Sequence, residues 1–174
     1  DNRLVVTVDS GEVIAPEGGA VTLDGSSFII PDVRVKDGSP AVIRLETRST
    51  VTAALSLLNR PPLRLMEKAG MPVTLADGEA VLSGTLALPL KKGNKPDELN
   101  YHFAGDLLSV ESDSLIKGRN LKASELALTV DNDGVQIGGE GRLDGVPFDG
   151  LWAQEIGPGS DRSRLSGEIA LTPS

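Results

Sequence analysis

Cysteine is absent from this 174-residue chain, histidine occurs once, and aromatic residues make up only 3% of it. Each shortage removes a class of chemistry. Without thiolates there is no disulfide staple, no thiol nucleophile and no cysteine-based zinc site. A cysteine-free chain is also compatible with an oxidising compartment such as the periplasm. His102 stands in a strand pattern on the face opposite Tyr101 and Phe103, which assigns it a surface or structural role and leaves transition metals without a ligand set. No apolar run approaches the roughly 20 residues that span a bilayer. Positive charge is short as well: the formal net charge is −8 and the Lys and Arg residues are scattered, which excludes a nucleic-acid partner held through phosphate counterion release. There is no initiator Met and no signal-peptide pattern. The chain starts at Asp1 in a strand approach and stops at Ser174 just after another strand, so the expectation is a piece of a longer protein.

What is present favours β-structure. The 20 glycines and 11 prolines punctuate periodic apolar segments, and the core must be built from Leu, Val, Ile and Ala. Asp-Gly pairs at 24–25, 37–38, 77–78, 133–134 and 144–145 are hairpin signals, because type I′ turns need positive φ at both central residues. Between them the sequence alternates with period 2, which sends apolar side chains to one face and polar ones to the other. Leu4, Val6 and Val8 make one such set. Val21 and Leu23 precede the first pair, and Phe28 and Ile30 follow it. Ala41, Ile43 and Leu45 alternate with Val42, Arg44 and Glu46. The later segments supply the candidate functional face: Leu82, Leu86 and Leu88; Phe103; Leu126, Leu128 and Val130; Val135, Ile137 and Leu143; Leu165, Ile169 and Leu171.

One stretch breaks the alternation. In Ser49 to Asn59, Val51, Leu55 and Leu58 follow helical spacing, Ser49 or Thr50 can cap the start, and Pro61-Pro62 ends it. A second short helix is predicted over Leu63 to Ala69 with Gly70 as its stop. This insert either plugs one end of the sheet or covers a sheet edge. Leu82-Ser-Gly-Thr-Leu-Ala-Leu-Pro has an echo in Leu165-Ser-Gly-Glu-Ile-Ala-Leu-Thr, as in proteins assembled from strand-rich units.

The search for chemistry is negative. Asp131-Asn132-Asp133-Gly134 lacks the full order of a calcium loop, and Gly138-Gly139-Glu140-Gly141-Arg142-Leu143-Asp144 puts its aspartate one residue late for a calcium-binding β-roll, so both read as turns. Gly157-Pro158-Gly159-Ser160-Asp161 reads as a surface loop, and no nucleophile elbow or phosphate loop occurs. Paired carboxylates could serve a glycosidase, but a single tryptophan, Trp152, is poor provision for sugar stacking. The expectation is a non-enzymatic protein with no cofactor and no metal.

Two regions carry a family resemblance. One is Ala54-Leu-Ser-Leu-Leu-Asn-Arg-Pro-Pro-Leu63, followed by Gly70 and by Gly84 in a strand ending Leu88-Pro89-Leu90. The other runs from Leu126 to Trp152 and contains the pattern G-x-G-x-L-D-G-V-P-x-x-G-x-W. Over roughly residues 40 to 174 the chain resembles the YhdP-type branch of the AsmA-like proteins of Gram-negative envelopes. The resemblance implies an inner-membrane anchor outside this fragment and a periplasmic part that stacks strand-rich units into a curved β-groove. It further implies an apolar inner face that carries phospholipid acyl chains between inner and outer membranes, with neighbouring groove units and inner- and outer-membrane proteins as partners. The fold so expected is mainly β: a curved antiparallel sheet, open groove or half-barrel, built from meander hairpins with a helical insert near 49–69. It is organised as one segment over 1–174 or as two strand-rich subunits, 1–90 and 91–174. Glycines such as Gly84, Gly139 and Gly141 would allow tight curvature. The rival expectation is a structural or protein-interaction module of the envelope whose apolar face is buried in its own core.

Overall fold

Long alternating segments joined by tight turns have only one economical partner, the segment next to them in the chain. From residue 40 onward that is what forms. The structure is a computed structural model, and it describes residues 2–35, 39–61, 63–156 and 163–169. Seven strands run as an antiparallel meander: β5 (Pro40–Thr50), β6 (Asp77–Pro89), β7 (Asn100–Ser112), β8 (Leu121–Asp131), β9 (Gly134–Leu143), β10 (Val146–Glu155) and β11 (Ser163–Ile169). The N-terminal part departs from a meander. Four short strands, β1 (Leu4–Thr7), β2 (Glu12–Ile14), β3 (Ala20–Thr22) and β4 (Ser27–Ile30), lie beyond the free edge of β5, which β3 and β4 share. β4 pairs with β5 over Val42–Arg44 and β1 pairs outside β4, while the β2–β3 hairpin meets β5 at Thr22 and Arg48. One 11-residue strand thus serves two short partners end to end. The 11-stranded sheet is open, with β1 and β11 at the ends of its main path.

The Asp-Gly signals resolve unequally. Asp144-Gly145 makes the expected two-residue turn between β9 and β10, with φ of 49° and 84°. Asp24-Gly25 is a turn but not a two-residue hairpin, since β3 and β4 do not pair with each other. The β8–β9 turn is centred on Asn132-Asp133, where Asp131 Oδ1 accepts from the backbone N–H groups of Asp133 and Gly134. Asp37-Gly38 and the 157–161 loop lie outside the described residues. Asp77-Gly78 is a correction: it lies inside β6. Gly78, at φ 129°, marks a register shift there, and a Cβ at that position would sit 2.7 Å from the Leu108 carbonyl. Its neighbours continue the irregularity across the sheet. Ser109 in β7 has φ 51°, β8 carries one extra residue against β9 between Lys122 and Ala127, and Gly139 in β9 has φ 146°. Bulges aligned over four adjacent strands sharpen the local twist. They also reset the side-chain alternation, so that Leu107 and Val110 of β7, and Ala123 and Leu126 of β8, are all buried in the same direction.

The insert interrupts the β5–β6 hairpin. Thr50 caps α1 (Val51–Leu58), its hydroxyl accepting from Ala53 N–H at 3.1 Å and donating to the Gly18 carbonyl at 2.8 Å. Ala53 and Leu57 pack beneath the β2–β3 hairpin with Ala15 and Val21, where Ser56 also bonds the backbone of Glu17. Val51, Ala54, Leu55 and Leu58 instead join the core of the main sheet. The insert therefore lies on the apolar face, between sheet and hairpin, and does not merely cover an edge. Replacing Thr50 by alanine removes a cap and the tie to the hairpin together. The expected loss is about 1–2 kcal/mol in urea denaturation.

Candidate functional site

Register places the apolar residues of the meander in straight rows across the strands. Leu82 pairs with Gly105, Gly105 with Leu128, Leu128 with Ile137, Ile137 with Trp152, and Trp152 with Leu165. That row crosses β6 to β11 on one face. A neighbouring row runs Gly84, Phe103, Val130, Val135 and Gln154. At about 4.8 Å per strand step, the first row is roughly 24 Å long.

Most of the sequence-derived candidates meet here. Leu82, Phe103, Leu126, Leu128 and Val130 are buried, and Leu86, Leu88, Val135 and Ile137 are half-buried and pack against them. Leu143 follows on β9 opposite Leu121. Leu165 stands at the open end of the row and is 59% exposed. Ile169 is in register opposite Phe148, and Leu171 lies outside the described residues. No second sheet lies on this face among the described residues; its cover is the insert and the β7–β8 loop. The row thus passes from covered, at Leu82 and Leu128, to exposed, at Leu165.

Between cover and sheet lies a wholly apolar cavity of about 90 Å³. Leu55, Leu58, Leu65, Met66 and Met71 form its roof, and its floor runs from Leu82 and Leu107 through Leu128 and Ile137 to Trp152. A smaller pocket of about 30 Å³ continues past Leu115 and Ile116 to Phe148 and Leu165. The amide oxygen of Gln154, in the second row opposite Ser163, is buried without a hydrogen-bond partner among the described residues. Glycines let neighbours close over the backbone: a Cβ at Gly84 would come within 2.5 Å of the Phe103 ring, and one at Gly141 within 2.9 Å of Phe148.

Trp152, Leu107, Val110 and Leu115 also line the larger cavity, outside the face that period 2 picks out. The Leu107-Leu108 doublet hides two inward positions behind a bulge. β10, which brings Trp152 inward, carries Pro147, Asp149 and Gly150, poor strand formers that conceal its period.

Polar groups gather elsewhere. His102 is exposed on the other face, beside Thr85 and Asp131 in register. Among the described residues no three His, Asp or Glu side chains converge as a metal would require. Burial pushes the Tyr101 phenol up, with the charge of Asp131 adding to it. The Arg119 guanidinium at 2.8 Å and the Asn120 N–H hold the Asp144 carboxyl below its ordinary range, tying the β9–β10 turn to the β7–β8 loop. No helix among the described residues is long and apolar enough to cross a membrane. Comparison of the chain with family models, with curated proteins and with solved structures found no match.

Proposed function

We propose that this chain is a groove segment that receives phospholipid acyl chains on its apolar face and passes them along, without catalysis, between the membranes of a Gram-negative envelope. The observation that carries the reading is the row from Leu82 to Leu165, apolar across six strands and ending uncovered at the sheet edge. A single sheet that leaves the end of such a row open invites an apolar occupant there. Acyl chains fit, since each buried methylene contributes about 0.8 kcal/mol without any directional contact. The row is roughly 24 Å long, more than one leaflet's share of a hydrocarbon core of about 30 Å. The resemblance to AsmA-like proteins of the YhdP type supports the same reading. It would make the chain a periplasmic unit, anchored through a segment outside it and continued by neighbouring groove units.

A second reading has its own observation. The cavity under the insert, about 90 Å³, is smaller than the roughly 150 Å³ that admits a benzene molecule. A structural β-module that uses its insert as a permanent core would look the same. Photocrosslinkers at Leu86 and Ile137, compared with Glu140 and Arg142 on the opposite face, separate the two in cells. Phospholipid adducts confined to the first pair are expected. No adduct, or equal labelling at all four positions, sinks the groove.

A further inference from the structure

The roof of the cavity has an outer side as well. α2 (Leu65–Ala69) turns Leu65 and Met66 inward to the cavity and leaves Glu67 and Lys68 in solvent. Arg60, Arg64 and Lys68 follow one another at single-turn intervals: Arg64 N–H donates to the Arg60 carbonyl at 3.1 Å, and Lys68 N–H to that of Arg64 at 3.0 Å. All three are exposed. Only Glu67 opposes them, 3.8 Å from Arg64, while Arg60 and Lys68 make no ion pair among the described residues. On a chain of net charge −8 this is a local excess of cations, set directly over an apolar cavity. α2 is also bounded by left-handed residues on both sides, Arg64 at φ 49° and Gly70 at φ 64°; Arg64 gives no side-chain cap, and Asn59 Oδ1 instead accepts from the Glu67 N–H at 2.9 Å. Left-handed joints at both ends of a five-residue helix are where a hinge would fall.

We propose that the insert is the uptake point for an anionic phospholipid, whose phosphate lies against Arg60, Arg64 and Lys68 while its acyl chain enters beneath a displaced α2. The inference rests on the acyl-groove reading and adds headgroup chemistry to it. Exposed cations attract an anionic lipid surface by about a fivefold gain in binding each, and the gain fades as salt screens it.

The test is lipid loading of the protein from phosphatidylcholine vesicles with and without phosphatidylglycerol, and with uncharged diacylglycerol as a third arm. Wild type is expected to load phosphatidylglycerol in preference to phosphatidylcholine at low salt and to lose the preference at high salt. R60Q/R64Q/K68Q should lower phosphatidylglycerol loading about 125-fold and leave diacylglycerol loading unchanged. R60Q/K68Q, which spares the strained position 64, should lower it about 25-fold. Equal loading of both phospholipids by wild type, or undiminished loading by either variant, overturns this inference alone. Displacement of phosphatidylglycerol by millimolar inorganic phosphate overturns the assignment to lipid. Failure of wild type to load any of the three overturns the groove reading, and the inference with it.

Discussion

Gly105→Ala is expected to cost about 3 kcal/mol, the upper end of overpacking penalties, and to lower the melting temperature by about 6–12 °C. Gly105 lies mid-sheet in β7, opposite Leu82 and Leu128. An added Cβ would sit 2.0 Å from the Val81 carbonyl oxygen and 2.9 Å from the Leu82 Cα. Neither atom belongs to a side chain that could swing away, so the β6–β7 ladder itself must spread. The gain from reducing unfolded-chain entropy, about 0.4–1 kcal/mol, does not offset that. Gly138→Ala is the control. It too is mid-strand, but the nearest atom to its Cβ is the Leu151 Cδ1 at 3.1 Å, the end of a flexible side chain. Its cost should stay within about 1 kcal/mol. Equal melting temperatures for the two variants would mean that the close approach of β6 and β7 is not what the glycine provides.

The contrast also marks where sequence patterning stops being informative. Period 2 assigned Leu82, Phe103, Leu128, Val130 and Ile137 to one face, and register does bring them into two adjacent rows. The helical period of Val51, Leu55 and Leu58 located α1, with Thr50 as its cap. Both signals are local, because they depend on where consecutive side chains point. What stayed hidden depends on distant partners. Asp77-Gly78 has the composition of a turn yet serves as a bulge, since Leu108 and Ser109 come to lie against it. The inward turn of both Leu107 and Val110 follows from that bulge and not from spacing. β10 is hard to see in the sequence because Asp149 and Gly150 are poor strand formers, held extended only by main-chain pairing with β9 on one side and β11 on the other. The local cation excess of the insert does not show in the spacing of Lys and Arg along the chain. It becomes a patch only when the main-chain bonds from Arg64 to Arg60 and from Lys68 to Arg64 set three side chains one turn apart.

Phe103→Ala should be the most damaging truncation on the apolar face, at about 3–5 kcal/mol in urea denaturation with an unchanged m-value. The ring is buried in the main core beside Val130 and Tyr101 and lies over the bare backbone of Gly84, so its loss opens a cavity and uncovers a strand. Leu165→Ala, at the other end of the face, should cost less than about 0.5 kcal/mol because that side chain is already 59% exposed. The size of this gradient bears on function. A face that is core throughout would show large costs at both ends, since each truncation leaves a cavity. A face that is open trough throughout would show small costs at both, since water already reaches it. A steep fall from Phe103 to Leu165 is what a groove requires when one end is closed by its own insert and the other is left apolar and uncovered. A cost below about 1 kcal/mol at Phe103 would mean that this end of the face is not packed as a core in solution, and the closed end would have to be abandoned.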